Sequence, residues 1–160
     1  MKDWFTVDQV DESTYIISEY RHWEETYCYL LIGNDRALLI DTGLGISNIY
    51  EQVRKLTNKP VAAVATHIHW DHIGGHKYFP EFYAHEAERD WLNGKFPLPL
   101  QAVKNMVADR CELHQTNIIR TRSSQWEMGS VGNVIHLLEY HTAEQRQAEP
   151  SQDSPGISNG

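Results

Sequence analysis

The sequence predicts a mixed α/β domain, and three features of its patterning lead to this prediction. Residues 14–17 and 27–32 are rich in β-branched and aromatic side chains, as strands are. Residues 47–56 carry apolar side chains at spacings of four and three, which is the pattern of one buried helix face. Residues 61–65 form a short apolar run between chain breakers, which is typical of a strand buried on both faces. With 160 residues, the chain has the size of one such domain.

The first part of the chain alternates strands and turns. A cluster of turn residues at 33–36 separates the predicted strand at 27–32 from an apolar segment at 37–40, and this arrangement predicts a hairpin. Residues 41–45 contain two glycines and interrupt the strand pattern. Ser47 stands where the helix begins, and we expect its side chain to cap a helix that ends near Leu56.

The second part of the chain carries weaker signals. The sequence predicts a short strand at 81–84, a helix at 86–92, a loop at 93–99 and a helix at 100–108. A further strand is predicted at 134–138, where apolar residues follow one another almost without interruption.

The end of the chain differs from the rest in composition. From His141 to Gly160 there are no aromatic residues, and only three residues are aliphatic. Such a segment buries too little apolar surface to offset the entropy lost on ordering. We therefore expect residues 1–140 to form the domain and residues 141–160 to form a disordered tail.

Composition excludes several classes of function. The chain has 14 basic and 22 acidic residues and a net charge of −8, which gives no electrostatic footprint for nucleic acid. No apolar stretch approaches the roughly 20 residues that span a bilayer, and the N-terminus lacks the pattern of a signal peptide. The two cysteines, Cys28 and Cys111, are too few for a disulfide framework, and Cys28 is expected to be a buried thiol. We expect a cytoplasmic protein with neither a nucleic-acid nor a membrane partner.

Four strong metal-ligating side chains fall within six residues. They are His67, His69, Asp71 and His72, directly after the predicted buried strand. In an extended segment residues 67, 69 and 71 point to one side, whereas His72 points elsewhere unless the backbone turns. Imidazole and carboxylate groups suit zinc, iron or manganese, and such a loop is well suited to two neighbouring ions. The alternative is a loop of solvated histidines, which is common for single histidines rather than for a cluster.

A second candidate site residue follows the segment at 37–40. Asp41 precedes Thr42 and Gly43, and this sequence also suits an ordinary turn. We favour a functional role for Asp41 because it occurs together with the histidine-rich loop.

These two segments carry a resemblance to a known family. Residues 66–75 resemble the His-x-His-x-Asp-His signature of the metallo-β-lactamase superfamily, in particular its glyoxalase II-like and lactonase-like hydrolases. Residues 38–43 are similar to the Asp-Thr-Gly motif that ends a strand in the same superfamily. The resemblance covers roughly residues 10–95. It implies an αββα sandwich with the metal ions at one edge of the two sheets.

The resemblance also implies roles for the site residues. His67 and His69 would bind a first zinc ion, and Asp71 and His72 a second; iron or manganese are alternatives to zinc. Asp41 would orient the loop through hydrogen bonds, so that Asp71 and Asp41 are the two carboxylates implied in catalysis. The implied reaction is hydrolysis of an ester, lactone, thioester or similar bond in a small-molecule substrate by a metal-activated water.

The later part of the chain departs from the superfamily pattern. The His-Thr-Pro-Gly-His segment of the family is matched by His141 and Thr142, but Gln145 stands at the ligand position. We therefore expect a sequence that is truncated or altered after about residue 111, with the C-terminal half of the sandwich incomplete. One alternative is a non-catalytic family member or a metal-binding or interaction module. Another is a chain that completes its site by pairing with a second copy as a homo-oligomer.

Overall fold

The computed structural model describes residues 3–108 and 134–138, which form one seven-stranded sheet and the helices around it. The strands lie in the sheet in the order of the chain. They are β1 (Thr6–Gln9), β2 (Thr14–Ser18), β3 (Tyr27–Ile32), β4 (Ala37–Ile40), β5 (Val61–Val64), β6 (Glu81–His85) and β7 (Val134–Leu138). The α-helices of the described residues are α1 (Ile49–Leu56), α2 (Trp70–Ile73) and α3 (Leu100–Ala108).

The sheet changes from antiparallel to parallel at β4. Strands β1 to β4 pair in antiparallel fashion, and the register places Leu30 opposite Leu39. Strands β4 to β7 pair in parallel, with Leu39 and Phe82 on either side of Ala63. Because the carboxyl ends of neighbouring parallel strands meet at one edge of a sheet, the loops after β4 and β5 lie side by side. These two loops carry the predicted site residues.

The crossover between β4 and β5 contains α1, and its first turn corrects one prediction. The cap is Asn48 rather than Ser47, because the Asn48 side chain accepts hydrogen bonds from the amides of Tyr50 (3.1 Å) and Glu51 (3.3 Å). An asparagine oxygen satisfies the free amides of a first turn as well as a serine hydroxyl does. The helix ends at Leu56, as predicted.

Residues 86–92 are helical, as predicted, but the helical segment is irregular. A 3₁₀ turn spans Glu86–Glu88 and a π-helical turn spans Trp91–Lys95, so helical structure extends into the predicted loop at 93–99. Gly94 leaves the helical conformation with φ +89°, which glycine adopts without the steric cost of a side chain.

The core lies between one face of the sheet and the helices. Leu30, Leu39, Ala63 and Phe82 come from four neighbouring strands and are all fully buried. Two helices contribute apolar side chains to the same cluster: Ile49, Val53, Val103 and Val107. Along β3, buried and exposed residues alternate, so the opposite face of this strand is partly open to solvent.

The remaining predicted elements agree with the structure. The predicted hairpin is formed by β3 and β4, and β2, β5, β6, β7 and α3 lie where strands and a helix were predicted. The mixed α/β class is therefore confirmed. Cys28 is a buried free thiol, whereas Cys111 and the predicted tail at 141–160 lie outside the described residues.

The loops after β4 and β5 pack backbone against backbone. The Gly74 amide donates to the Gly43 carbonyl (2.8 Å), and the Thr42 amide donates to the His72 carbonyl (2.7 Å). A Cβ atom at Gly74 would lie 2.3 Å from the carbonyl carbon of Leu44 and 2.4 Å from its oxygen, far closer than Cβ atoms approach backbone. Position 74 therefore requires glycine for reasons of space.

The substitution Gly74→Ala is expected to destabilise the fold, because the new methyl group must displace the Leu44 backbone. Overpacking of this kind typically costs about 1–3 kcal/mol in the free energy of unfolding. The matched control is Gly33→Ala, where a Cβ atom would lie 3.1 Å from one carbonyl oxygen, that of Arg36. Urea unfolding of both variants measures the difference, and equal stabilities would contradict the interlocked packing.

Candidate metal centre

Asp41 follows β4 and lies beneath the histidine-rich loop. Its backbone is in the left-handed region (φ +61°), which is uncommon for a residue other than glycine. The Oδ1 atom accepts a hydrogen bond from the Thr66 amide (2.8 Å), and Oδ2 accepts from the Thr66 hydroxyl (2.9 Å). Oδ2 also lies 2.9 Å from His72 Nδ1, which is the donor because a carboxylate only accepts. One buried carboxylate therefore binds both ends of the loop.

The loop turns sharply after His69. Helix α2 begins at Trp70, and the His72 amide donates to the His69 carbonyl (3.0 Å). This turn brings the His72 ring beside that of His67, with the ring centroids 4.0 Å apart. The sequence alone left the direction of His72 open, and the turn of the backbone decides it.

His67 and His69 form the first pair of donors. His67 Nε2 lies 3.1 Å from His69 Nδ1, and the ring centroids are 4.6 Å apart. Burial lowers the pKa of His67, and positive charge on His72 and His69 lowers it further. The neutral ring, which is the form that binds metals, is thereby favoured. The His69 ring stacks on that of Trp91, with centroids 5.7 Å apart and an interplanar angle of 12°.

Asp71 and His72 form the second pair of donors. Asp71 Oδ2 lies 3.2 Å from His72 Nε2, on the side of the ring away from Asp41. Burial by itself lowers the pKa of His72, but the hydrogen bonds and charges of Asp41 and Asp71 outweigh burial and raise this pKa to about 10. For Asp71, burial acts to raise the pKa, and the hydrogen bond and positive charge of His72 overcome it and lower the pKa.

Each pair has the spacing of two ligands on one ion. The donor separations of 3.1 and 3.2 Å are shorter than twice a zinc–ligand bond of about 2.0–2.2 Å, so both members of a pair can contact the same ion. Within the described part of the chain, no group of three or more His, Cys, Asp or Glu side chains is arranged to hold one ion. The described side chains thus offer zinc two pairs of donors.

Two glutamates that the sequence analysis did not single out lie at this site. Glu88 Oε1 accepts a hydrogen bond from the Ile68 amide (2.8 Å), in the middle of the histidine-rich loop. Burial raises the pKa of Glu24, and the negative charge of nearby Asp71 raises it further. Neither glutamate belongs to a local motif, and only the three-dimensional fold brings them to the loop.

The sequence matches the model of the metallo-beta-lactamase superfamily over residues 22–143. It is 32% identical over 97 residues to the acyl-coenzyme A thioesterase MBLAC2 of Gallus gallus, covering 54% of this chain and 35% of that protein. It is 36% identical over 74 residues to a hydroxyacylglutathione hydrolase of Xanthomonas campestris pv. campestris, covering 42% of this chain and 29% of that protein. The chain thus spans about a third of the length of these relatives.

A solved structure shares the fold. The crystal structure of a metallo beta lactamase from Hirschia baltica superimposes with a TM-score of 0.50 and 17% sequence identity, covering 61% of this chain and 50% of that chain. At this identity the similarity concerns the fold alone. None of the helices in the described ranges combines the length and the apolar character that crossing a membrane requires.

The metal-free chain is expected to keep His72 protonated well above neutral pH, because two carboxylates contact the ring. Its pKa is raised from 6.5 to about 10, so the stability from these contacts is fully present below pH 6.5 and is lost as pH rises toward 10. Nitrogen-15 NMR of the imidazole ring across this range measures the pKa. Asp41→Asn should lower it, because a neutral amide does not stabilise the imidazolium. An unshifted wild-type pKa near 6.5 would contradict these contacts.

Proposed function

The chain belongs to the metallo-β-lactamase superfamily of hydrolases, and we propose that it is a zinc-dependent member that cleaves an acyl thioester or ester bond of a small molecule. The region that matches the superfamily, residues 22–143, includes every residue of the candidate metal centre. The α/β sheet and its similarity to a solved metallo-β-lactamase confirm the predicted fold class.

The observation that carries the proposal is the convergence of four ligand side chains after one buried strand. We assign His67 and His69 to one zinc ion, and Asp71 and His72 to a second. The donor atoms within the pairs are 3.1 and 3.2 Å apart. Imidazole and carboxylate groups are the ligands that zinc uses in catalytic sites, and iron or manganese accept the same donors.

Asp41 supports the centre by fixing the tautomer of His72. It accepts a hydrogen bond from His72 Nδ1–H, which keeps the proton on Nδ1. In the neutral ring, Nε2 therefore carries the lone pair that a metal ligand needs. Nε2 lies 3.2 Å from Asp71 Oδ2, the other donor that we assign to the same ion. We therefore assign Asp41 to orientation of His72 and Asp71 to metal ligation.

A bound zinc ion would lower the pKa of a coordinated water and polarise the scissile carbonyl group. For this chemistry the chain also supplies an apolar boundary beside the site. Beside the ligands, Trp91 and Phe96 meet edge to face with centroids 5.3 Å apart, and the His69 ring lies 5.7 and 6.4 Å from them. Aromatic side chains of this kind line ligand sites, and here they would exclude water and contact an acyl group.

The names of two relatives support an acyl thioester as the bond cleaved. The Gallus gallus protein is named an acyl-coenzyme A thioesterase, and the Xanthomonas campestris protein a hydroxyacylglutathione hydrolase. Both names specify an acyl group on a thiol-bearing carrier. Esters and lactones present the same carbonyl carbon to an attacking water and belong in the same assay panel.

Elemental analysis of the purified chain, followed by hydrolysis assays on acyl-coenzyme A and acyl-glutathione, tests the proposal. We expect bound zinc and turnover that a chelator abolishes. His69→Ala should reduce zinc affinity by more than the 10–100-fold typical of a residue that only orients a ligand. The matched control is His85→Asn, because His85 Nδ1 accepts a capping bond from the Ala87 amide (3.2 Å) that asparagine reproduces.

Two outcomes would count against this assignment. Wild-type chain that stays free of zinc, iron and manganese after reconstitution would overturn the proposed metal centre. Bound zinc without turnover of any substrate would identify a metal-binding family member that does not catalyse, which is the alternative that the sequence left open.

A further inference from the structure

A carboxylate is buried beneath the loop that carries Asp41. Glu19 follows β2 and is only 1% exposed. Its carboxylate accepts three hydrogen bonds, from Trp4 Nε1 (2.6 Å), the Thr26 hydroxyl (2.8 Å) and the Leu44 amide (2.8 Å). All three donors are neutral groups. Burial raises the pKa of Glu19, which these hydrogen bonds oppose.

Among the described residues, no cationic group donates to the Glu19 carboxylate, so its burial is costly. Removing a carboxylate from water costs free energy that hydrogen bonds offset only in part. The three donors belong to three separate segments: the N-terminal segment, the loop before β3 and the loop after β4. Glu19 thus connects, through hydrogen bonds, three segments that are separated in the sequence.

The Glu19 carboxylate packs closely against the loop after β4. Glu19 Oε2 accepts from the Leu44 amide, and a Cβ atom at Gly43 would lie 2.1 Å from the same oxygen. Gly43 has φ +68°, a conformation that favours glycine. The carboxylate therefore occupies the space that the missing side chain of Gly43 leaves, and the loop is shaped around it.

The same loop holds the metal ligands from its other side. The Gly43 carbonyl accepts from the Gly74 amide (2.8 Å), and the Thr42 amide and hydroxyl both donate to the His72 carbonyl (2.7 and 3.1 Å). One residue earlier, Asp41 contacts the His72 ring. Movement of the loop would displace the backbone and the ring of His72 together.

We propose that Glu19 is a positioning residue of the metal centre: by holding the Leu44 amide and filling the space at Gly43, it fixes the loop at 41–45 and thereby Asp41 against His72. The link to metal binding rests on the proposed function. The effect on the Asp41–His72 contact does not, because that contact is a hydrogen bond between two side chains of the chain itself.

The two oxygens of Glu19 provide a matched pair of variants. Oε2 accepts from the Leu44 amide of the loop and from the Thr26 hydroxyl, whereas within the ranges that the structure describes Oε1 accepts from Trp4 alone. Glu19→Gln replaces one acceptor oxygen with an NH₂ group, so either the Trp4 indole N–H or the Leu44 amide faces another donor. The remaining amide oxygen is also a weaker acceptor than a carboxylate oxygen. Trp4→Phe removes one hydrogen bond to the same carboxylate but leaves the loop contact intact.

The first measurement uses the metal-free chain. We expect the Nδ1–H proton of His72, which Asp41 holds in wild type, to exchange faster with solvent in Glu19→Gln than in wild type or Trp4→Phe. The ring proton resonance in NMR reports this directly. Glu19→Asp is the second variant, for use if Glu19→Gln does not fold, because it keeps the carboxylate but withdraws it from Leu44 by one methylene group.

The second measurement is zinc affinity by competition with a chromogenic chelator. We expect Glu19→Gln or Glu19→Asp to weaken binding about 10-fold, at the lower end of the effect of residues that orient metal ligands. Trp4→Phe should lose thermal stability without this change in affinity. A folded Glu19 variant whose His72 Nδ1–H proton exchanges with solvent at the wild-type rate would overturn the proposal. A loss of zinc affinity in Trp4→Phe equal to that in the Glu19 variants would also overturn it. If wild type binds no zinc, the proposed function fails, but the ring measurement still tests Glu19.

Discussion

The candidate metal centre depends on the parallel pairing of β4 with β5. The register places Ile40 beside Val64, so the two strands end level with one another. The Asp41 amide then donates to the Val64 carbonyl (2.8 Å), which extends the ladder one residue beyond β4. From this position the Asp41 side chain reaches Thr66 at the start of the histidine-rich loop. A slip of one residue would turn the alternating side chains to opposite faces and break this meeting of carboxylate and loop.

The electrostatics of the site follow from the same arrangement. Asp41 and Asp71 lie on opposite sides of the His72 ring, and both are largely withdrawn from solvent. Two carboxylates in such surroundings favour a cation between them. The imidazolium form of His72 is such a cation, which explains why the pKa of His72 is raised to about 10. Because metal ligation requires the deprotonated ring, proton and metal compete for the same nitrogen, and metal binding becomes dependent on pH.

Much of the fold could be predicted from local patterns in the sequence. The hairpin of β3 and β4, the apolar strand β5 and the helix that ends at Leu56 all have signals within a few residues. The two departures from the predicted elements have different causes. Ser47 was predicted as the cap and Asn48 is the cap, and the two are hard to tell apart because either side chain can accept hydrogen bonds from the amides of a first turn. The helical segment after Glu86 is irregular, and its residues make tertiary contacts: Glu88 accepts from the Ile68 amide, and the Trp91 ring stacks on that of His69. No pattern in the sequence reports these contacts.

The candidate site shows the same division between local and distant information. The ligand types and their order could be read from residues 67–72, but the return of His72 toward His67 required the turn of α2. Glu19 could not be found from the sequence, because its significance lies in contacts with residues 7 to 25 positions away. A lone glutamate after a strand resembles a surface residue until the fold buries it.

X-ray absorption at the zinc edge of the zinc-loaded chain tests the central claim most directly, because it reports the atoms bound to the metal. We expect nitrogen and oxygen neighbours at about 2.0–2.2 Å with the outer-shell scattering of imidazole rings. Sulfur neighbours at about 2.3 Å, or a first shell of oxygen atoms without imidazole, would contradict it, because the metal would then be held by cysteine or by solvent rather than by His67, His69 and His72.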